Sequence, residues 1–171
     1  MIIRRSLAKF SLLLLVIFLA SSKLTYSQPF TDTAVVSLVN NLVFGNVLPG
    51  IPVTISKRST FAAEFLIQGT AGSDVFISFT LPKYMTTTGN YMRTIFKTTD
   101  CAMDSSATPD QAAPTLDDVS PWRTTTYTIG SNSELTVWLG GTVVPDLVQQ
   151  AGGYTADIVI FVEPVDAPGG P

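Results

Sequence analysis

The sequence predicts an all-β fold, an immunoglobulin-like β-sandwich of about seven to nine antiparallel strands that follows an N-terminal signal peptide. Three observations predict this fold class. Short apolar runs alternate with polar residues at the two-residue period of a strand that has one face in a core. Turn-forming Gly, Pro and Asn residues separate these runs at regular spacing. No segment after the signal peptide has the apolar spacing of a long amphipathic helix.

The first 27 residues have the composition of a secretory signal peptide. Arg4, Arg5 and Lys9 supply positive charge, Phe10 to Ala20 is apolar, and Thr25 to Ser27 offers small residues for cleavage. The apolar run is shorter than the about 20 residues that a membrane-spanning helix needs, so we expect cleavage and no membrane span afterwards. Residues 28–163 are then one β-sandwich domain and residues 164–171 a flexible tail. The expected location is the periplasm or the cell surface.

The composition of the exported part, residues 28–171, argues against several classes of function. Residues 28–171 carry six basic and 13 acidic residues, a net charge of −7, which argues against a nucleic-acid partner. The chain has no His, so it lacks the commonest general base and metal ligand. Cys101 is the only cysteine, so it is either unpaired or bridges two chains. We therefore predict a protein that is not an enzyme and binds no cofactor or metal.

Strand-like segments follow one another through the first part of the exported chain. Before residue 130 they are 33–39, 42–44, 53–55, 61–68, 75–81, 91–98 and 122–129. A glycine-rich connection, 69–73, joins 61–68 to 75–81, which predicts an antiparallel hairpin with one face in the core. The region 100–121 is rich in Asp, Ser and Pro and predicts a long loop.

The clearest strand pattern lies in the last third of the chain. Leu135, Val137 and Leu139 alternate with more polar positions, which predicts a strand with one buried face. Trp138 falls on the polar register of this strand, where it is either exposed or, as is more common for such a residue, covers the sandwich or an interface. The run from Thr155 to Val162 is apolar on both faces, which suits a strand buried between layers or covered by a partner.

Two Gly-Gly pairs and a tyrosine form the predicted turn devices of this last third. Gly140-Gly141 ends or bulges the first strand, and Gly152-Gly153 makes a turn before the second. We expect positive φ at these glycines rather than contact with a ligand. The hydroxyl of Tyr154, directly after the second pair, is expected to hydrogen-bond to loop backbone.

Three segments, in order, resemble the spore coat protein U and fimbrial-subunit-like family. LVFGNVLPG at 42–50 is similar to its FG-x-x-x-P opening, and FAAEFLIQGTAGSDVFISFTLP at 61–82 to its alternating strand that ends in L-P. LTVWLGGTVVPDLVQQAGGYTADIVIFVEP at 135–164 is similar to its closing Gly-Gly-Thr, Gln and Tyr signature. The resemblance implies an exported immunoglobulin-like sandwich. Some relatives are archaic chaperone–usher pilins, in which the N-terminal segment of one subunit fills a groove in the next.

The resemblance makes the N-terminal arm, Thr31 to Val39, the candidate assembly segment. Ala34, Val36 and Leu38 would plug a groove in another copy or a related subunit, and a periplasmic chaperone would be a further partner. The alternative is that the arm is simply the first strand of its own sandwich. We thus expect a secreted structural subunit of a fimbria-like assembly.

A second hypothesis is an extracellular module that binds a glycan or a protein ligand as a monomer. Trp138 would stack on a sugar, or the 100–121 loop would form the binding surface. The Asp residues of that loop match no calcium-binding spacing and are typical of a solvated acidic surface.

Overall fold

The computed structural model describes residues 33–165. The predicted signal peptide and residues 166–171 of the predicted tail lie outside these residues. Residues 33–165 contain twelve antiparallel strands in three sheets and no helix, so the predicted all-β sandwich is confirmed with more strands than expected. None of the described residues belongs to a helix that could cross a bilayer.

The strands form one large and two smaller sheets. Their bounds are β1 Val35–Asn40, β2 Val53–Ile55, β3 Ala63–Gln68, β4 Asp74–Thr80, β5 Tyr84–Thr87, β6 Asn90–Ile95, β7 Cys101–Asp104, β8 Leu116–Val119, β9 Thr125–Thr128, β10 Glu134–Leu139, β11 Gly141–Val144 and β12 Val159–Pro164. Sheet A has the order β1-β3-β10-β7-β8, sheet B the order β2-β11-β6-β5, and sheet C the order β12-β4-β9.

Strand β10 lies at the centre of sheet A, between β3 and β7. Its alternating residues Leu135, Val137 and Leu139 are fully buried, as the sequence predicts. Trp138 is only 3% exposed, so it covers the sandwich, as expected for most such residues, and the alternative of an exposed indole that stacks on a sugar is wrong. The outward face of β10 is also covered. Alternation of apolar and polar residues within one strand predicts its first buried face but cannot predict whether the other face is covered as well.

The chain passes from sheet A to sheet B at Gly140, between β10 and β11. A Cβ atom added at Gly140 would lie 2.5 Å from the carbonyl oxygen of Ile55 and 2.6 Å from the backbone nitrogen of Lys57. The Gly140 N–H donates to the carbonyl of Asp100 at 2.8 Å. A residue without a side chain is therefore required where the two backbones cross.

Strands β3 and β4 are not the predicted hairpin. Strand β3 pairs with β1 and β10 in sheet A, whereas β4 pairs with β12 and β9 in sheet C. Residues 69–73 cross from one sheet to the other. The apolar faces of the two strands, which include Ile67 and Ile77, meet across the core instead of pairing side by side. Alternation predicts which side chains are buried but not which strand is the hydrogen-bonded neighbour.

The core lies between sheets A and C. Its buried apolar side chains include Phe65, Ile67, Val75, Ile77, Met103, Leu135, Val137 and Leu139. The rings of Phe65 and Phe79 pack at a centroid distance of 6.1 Å. Side chains from strands far apart in sequence therefore hold the two sheets together.

The predicted 100–121 loop contains two strands, β7 and β8, so that prediction is wrong for both ends of the region. The connection between them is held against the 56–60 segment. The side-chain amide of Gln111 donates to the carbonyls of Lys57 and Ser59 at 2.7 and 2.9 Å. Strand β7 forms because its residues Cys101, Ala102 and Met103 are buried in the sandwich. The Asp and Pro residues around them gave the region the composition of a loop.

Candidate assembly surface

Two strand edges lie open on one side of the sandwich. Strand β1 pairs only with β3, and β12 pairs only with β4, among the residues that the structure describes. Short connections stack β3 over β4 and β10 over β9, so β1 and β12 are the next strands outward on the same side. We call this pair of edges, Val35–Asn40 and Val159–Pro164, the open seam.

The inward side chains of β12 and the residue before it are incompletely covered. Ile158, Ile160 and Val162 pack against the core but are only half-buried. The neighbouring inward residues of β4, Val75 and Ile77, are each 1% exposed. The core is therefore closed beneath β4 and partly open at β12.

The outward side chains of β12 are also apolar. Val159 and Phe161 are 43% and 50% exposed. The prediction that this strand is buried between layers is therefore wrong, because β12 is the edge of a three-stranded sheet. The other expectation for the strand, that a partner covers it, remains a prediction.

Strand β1 shows where the three candidate assembly residues lie. Ala34 and Val36 are half-buried against the chain's own core. Leu38 is 57% exposed, and the β1–β3 register shifts between Leu38 and Asn40. In the single chain the described part of the arm, from residue 33, thus contributes the first strand of its own sandwich, whereas Thr31 lies outside the described residues. Pairing of the arm with another copy stays a prediction.

The seam carries little of the protection that edge strands usually have. Exposed edges are normally interrupted by charges, Pro or bulges, because unpaired N–H and C=O groups pair readily with another strand. Strand β1 has no charged residue and no Pro, and its protection is limited to the register shift at its end, between Leu38 and Asn40. It exposes Val35 and Val39 besides Leu38. In β12 these devices are confined to Glu163 and Pro164 at its end. The seam is therefore suited to accept an extended segment.

The far edge of sheet A, strand β8, is protected by charge. Lys57 is 7% exposed, and its Nζ lies 2.5 Å from Oδ1 of both Asp117 and Asp118. It also donates to the carbonyl of Thr99 at 2.8 Å, and Arg58 pairs with Asp117. Burial by itself would lower the pKa of Lys57, but the hydrogen bonds to the two carboxylates outweigh it and raise the pKa. Lys57 therefore stays charged and ties β8 to the 56–58 segment.

The four predicted turn glycines do not have the expected positive φ. Positive φ in the left-handed region occurs instead at other glycines of the described part, Gly45, Gly50, Gly72 and Gly89. Gly140 and Gly141 are required for close contact, since a Cβ at Gly141 would lie 2.9 Å from the ring of Phe96. A Cβ at Gly152 would make ordinary contact with Thr87, and one at Gly153 would meet nothing within 4 Å.

Tyr154 fixes the loop that follows β11. Its hydroxyl donates to the carbonyl of Gln150 at 2.9 Å and accepts from Nε2 of Gln149 at 2.6 Å. Nε2 of Gln149 also donates to the carbonyl of Tyr91 in β6 at 3.1 Å. Tyr154 thereby has the structural role expected for it, a hydroxyl bound to loop backbone.

This loop and segment 42–49 enclose a cavity of about 650 Å³ against sheet B. Met85, Met92 and Val143 contribute apolar lining, and no lining residue is charged. The polar groups of Gln149 and Tyr154 bind each other. The lining contains no Asp, Glu, Lys, Arg or Cys, and the hydroxyl of Tyr154 is its one ionisable group.

The fold also fixes the positions of Cys101 and Trp122. Cys101 is fully buried in β7, and burial raises the pKa of its thiol to about 12, so it cannot bridge two folded chains. Trp122 is exposed, but its indole N–H donates to the carbonyl of Phe96 at 2.8 Å. Residues 33–165 contain no group of three or more acidic or Cys residues that could hold a metal ion.

Comparisons with known proteins add no relative to these observations. A scan of protein-family models, a search of curated proteins and a search of solved structures each found no match to the chain. The family resemblance therefore rests on the motifs in the sequence, and the candidate surface rests on the geometry of the seam.

Proposed function

We propose that the chain is a secreted, non-enzymatic structural subunit of a fimbria-like assembly, and that it assembles by strand addition at the open seam. The observation that carries this proposal is the edge strand β12, which has a free backbone edge and apolar side chains on both faces. The ordered motifs shared with the fimbrial-subunit-like family support it. The absence of His from the chain agrees with a role that needs no catalyst.

Strand addition would complete two incomplete features of the seam at once. An extended segment beside β12 forms main-chain hydrogen bonds with its free edge. Alternate side chains of that segment cover Ile160 and Val162, which are half-buried without it. Completing the burial of a half-buried aliphatic side chain is worth on the order of 1 kcal/mol. The main-chain hydrogen bonds would supply affinity, and the apolar side chains of β12 would select a donor segment that is also apolar.

The donor that the sequence favours is the N-terminal arm of another copy or of a related subunit. Leu38 is free to enter a partner, because it is exposed in its own chain. Ala34 and Val36 contribute to their own core, so donation of the whole arm requires β1 to leave β3. A periplasmic chaperone would cover the seam until this exchange takes place.

A synthetic peptide of residues 28–40 tests donor and acceptor directly. We expect the labelled peptide to bind the purified protein saturably in a fluorescence polarisation assay. A peptide with Leu38→Asp should bind at least tenfold more weakly, because a carboxylate cannot fill an apolar site without a large desolvation cost. A peptide with Val39→Asp is the matched control, since adjacent residues of a strand face opposite sides. Equal affinity of the two variant peptides would contradict the proposed donor.

Substitutions on β12 test the acceptor edge. Val159→Lys and Phe161→Lys change exposed side chains, so the folded monomer should keep its thermal stability. Charged residues on an edge oppose pairing with another strand, so these variants should fail to bind the peptide and to form oligomers in sedimentation velocity. Leu147→Lys is the control, because Leu147 is 86% exposed in the connection after β11 and belongs to neither edge strand. A wild-type chain that binds no strand would leave the alternative, a monomeric binding module.

A further inference from the structure

Segment 82–99, which contains the β5–β6 hairpin, is a basic part of an otherwise acidic chain. Residues 82–99 contain Lys83, Arg93 and Lys97 but none of the 13 acidic residues. In the described part of the chain the ion pairs use only Lys57 and Arg58, so none of these three cations is paired with a carboxylate of residues 33–165. A concentration of free positive charge on a short hairpin favours an anionic ligand.

One face of this hairpin combines the charge with two aromatic rings. Tyr84 lies opposite Arg93, and Thr86 lies opposite Tyr91. All four side chains are exposed, with Tyr84 at 53% and Tyr91 at 64%. The two rings meet edge to face, with centroids 6.2 Å apart and an angle of 71° between their planes. The face therefore offers aromatic surface, hydroxyl groups and a guanidinium side by side.

The backbone beneath this face is held firmly. The backbone of Thr86 exchanges two hydrogen bonds with that of Thr155, at 2.8 and 3.0 Å. The carbonyl of Tyr91 accepts a hydrogen bond from Gln149. On the opposite face of the hairpin, Met92 is 5% exposed and anchors β6 to the interior. A ligand would therefore meet a preorganised face, which reduces the entropy lost on binding.

We propose that the face formed by Tyr84, Thr86, Tyr91 and Arg93 binds a short segment of a carboxylated polysaccharide. The guanidinium of Arg93 pairs with the carboxylate of a uronic acid in the planar two-point geometry that suits both groups. The two tyrosine rings pack against the apolar C–H faces of the sugars. The hydroxyls of the tyrosines and Thr86 hydrogen-bond to sugar hydroxyls.

Other anionic partners fit this face less well. A stable protein interface uses roughly 20–30 residues on each side, whereas this face presents four side chains. A nucleic acid carries a charge on every nucleotide and is bound largely through its phosphates, whereas residues 82–99 carry three cations and this face only one.

Calorimetric titration with defined oligosaccharides tests the proposal. The probes are hexasaccharides of galacturonic acid and of hyaluronan, with maltohexaose as the neutral control. We expect saturable binding of at least one carboxylated probe and none of maltohexaose. Tyr91→Ala and Arg93→Gln should each weaken that binding at least tenfold. Arg123→Gln, an exposed arginine outside the hairpin, removes the same charge and should change the affinity less than twofold.

Three results would overturn the proposal. The first is that neither carboxylated hexasaccharide binds. The second is equal weakening by Arg93→Gln and Arg123→Gln, which would mean attraction by net charge alone. The third is a wild-type dimer in sedimentation velocity that Arg93→Gln abolishes, which would identify a second copy of the chain as the occupant. Thermal unfolding of each variant verifies that the fold is retained.

Discussion

Replacing Gly140 by Ala should destabilise the sandwich strongly, because the residue lies where β10 passes from sheet A into sheet B. The new Cβ would lie 2.5 Å from the Ile55 carbonyl oxygen, 2.6 Å from the Lys57 nitrogen and 2.9 Å from the Ser56 carbonyl carbon. All three atoms belong to backbone, so no side chain can rotate away. The contact can be relieved only by moving the 55–57 segment away from the strand.

The expected loss follows from the measured cost of overpacking. Forcing an extra methyl into a close-packed site costs about 1–3 kcal/mol, and a contact with rigid backbone belongs at the upper end of that range. For a domain of this size about 4 °C of melting temperature corresponds to 1 kcal/mol, so a fall of about 8–12 °C is expected. Urea unfolding followed by tryptophan fluorescence would measure the free energy independently of temperature.

Gly153→Ala is the matched control for this substitution. A Cβ at Gly153 meets no atom within 4 Å, and its φ is not in the left-handed region. Loss of backbone freedom in the unfolded chain should therefore leave Gly153→Ala neutral or stabilise it by about 0.4–1 kcal/mol. Equal unfolding midpoints for the two variants would refute the conclusion that backbone contact at the sheet crossover requires Gly140.

Three further predictions concern buried polar and thiol groups. Burial opposes ionisation of Asp104, but backbone N–H donors outweigh it and hold its pKa below the ordinary value. The contribution of the ionised carboxylate to stability should be full above about pH 4 and disappear as the pH falls through the folded-state pKa. Urea midpoints measured from pH 7 to pH 2 should therefore depend less on pH in Asp104→Asn than in the wild type. Cys101, whose pKa is raised to about 12 by burial, should resist iodoacetamide at pH 8 in the native protein and react within minutes in urea. Rapid labelling of the native protein would contradict the burial of this thiol. Lys57→Met should lower the free energy of unfolding by about 1–3 kcal/mol, since it leaves the Thr99 carbonyl and a carboxylate without their donor. Lys97→Met, at an exposed position, should change the free energy of unfolding by less than about 0.5 kcal/mol. Equal losses in the two variants would refute the conclusion that Lys57 holds β8 in place.

Much of the fold could be predicted from local patterns. The alternation of Leu135, Val137 and Leu139 placed β10 and its buried face correctly. The inward faces of β3 and β4 were predicted in the same way, because the side-chain period of a strand is a local property. The β5 strand was missed, although the two-residue Thr88-Gly89 turn between alternating runs was a signal that could have indicated a hairpin.

The candidate surfaces could be predicted only in part. The apolar composition of Thr155 to Val162 indicated a strand that something covers, but the same composition fits the middle of a sheet as well as its edge. Leu38 is exposed although it shares its face with the half-buried Val36, and the register shift beside it is not indicated by any residue type in β1. Tyr84 and Arg93 are nine residues apart in the sequence and become neighbours through the hairpin register.

The sequence by itself determined that this protein is all β and which faces of its main strands are apolar. It determined these features because burial follows the alternation of neighbouring side chains, which is written in consecutive residues. Only the tertiary structure decided that β3 and β4 belong to different sheets, that Trp138 is covered and that β12 lies at an open edge. Backbone groups are the same in every residue, so the choice of partner strand depends on the packing of the whole chain.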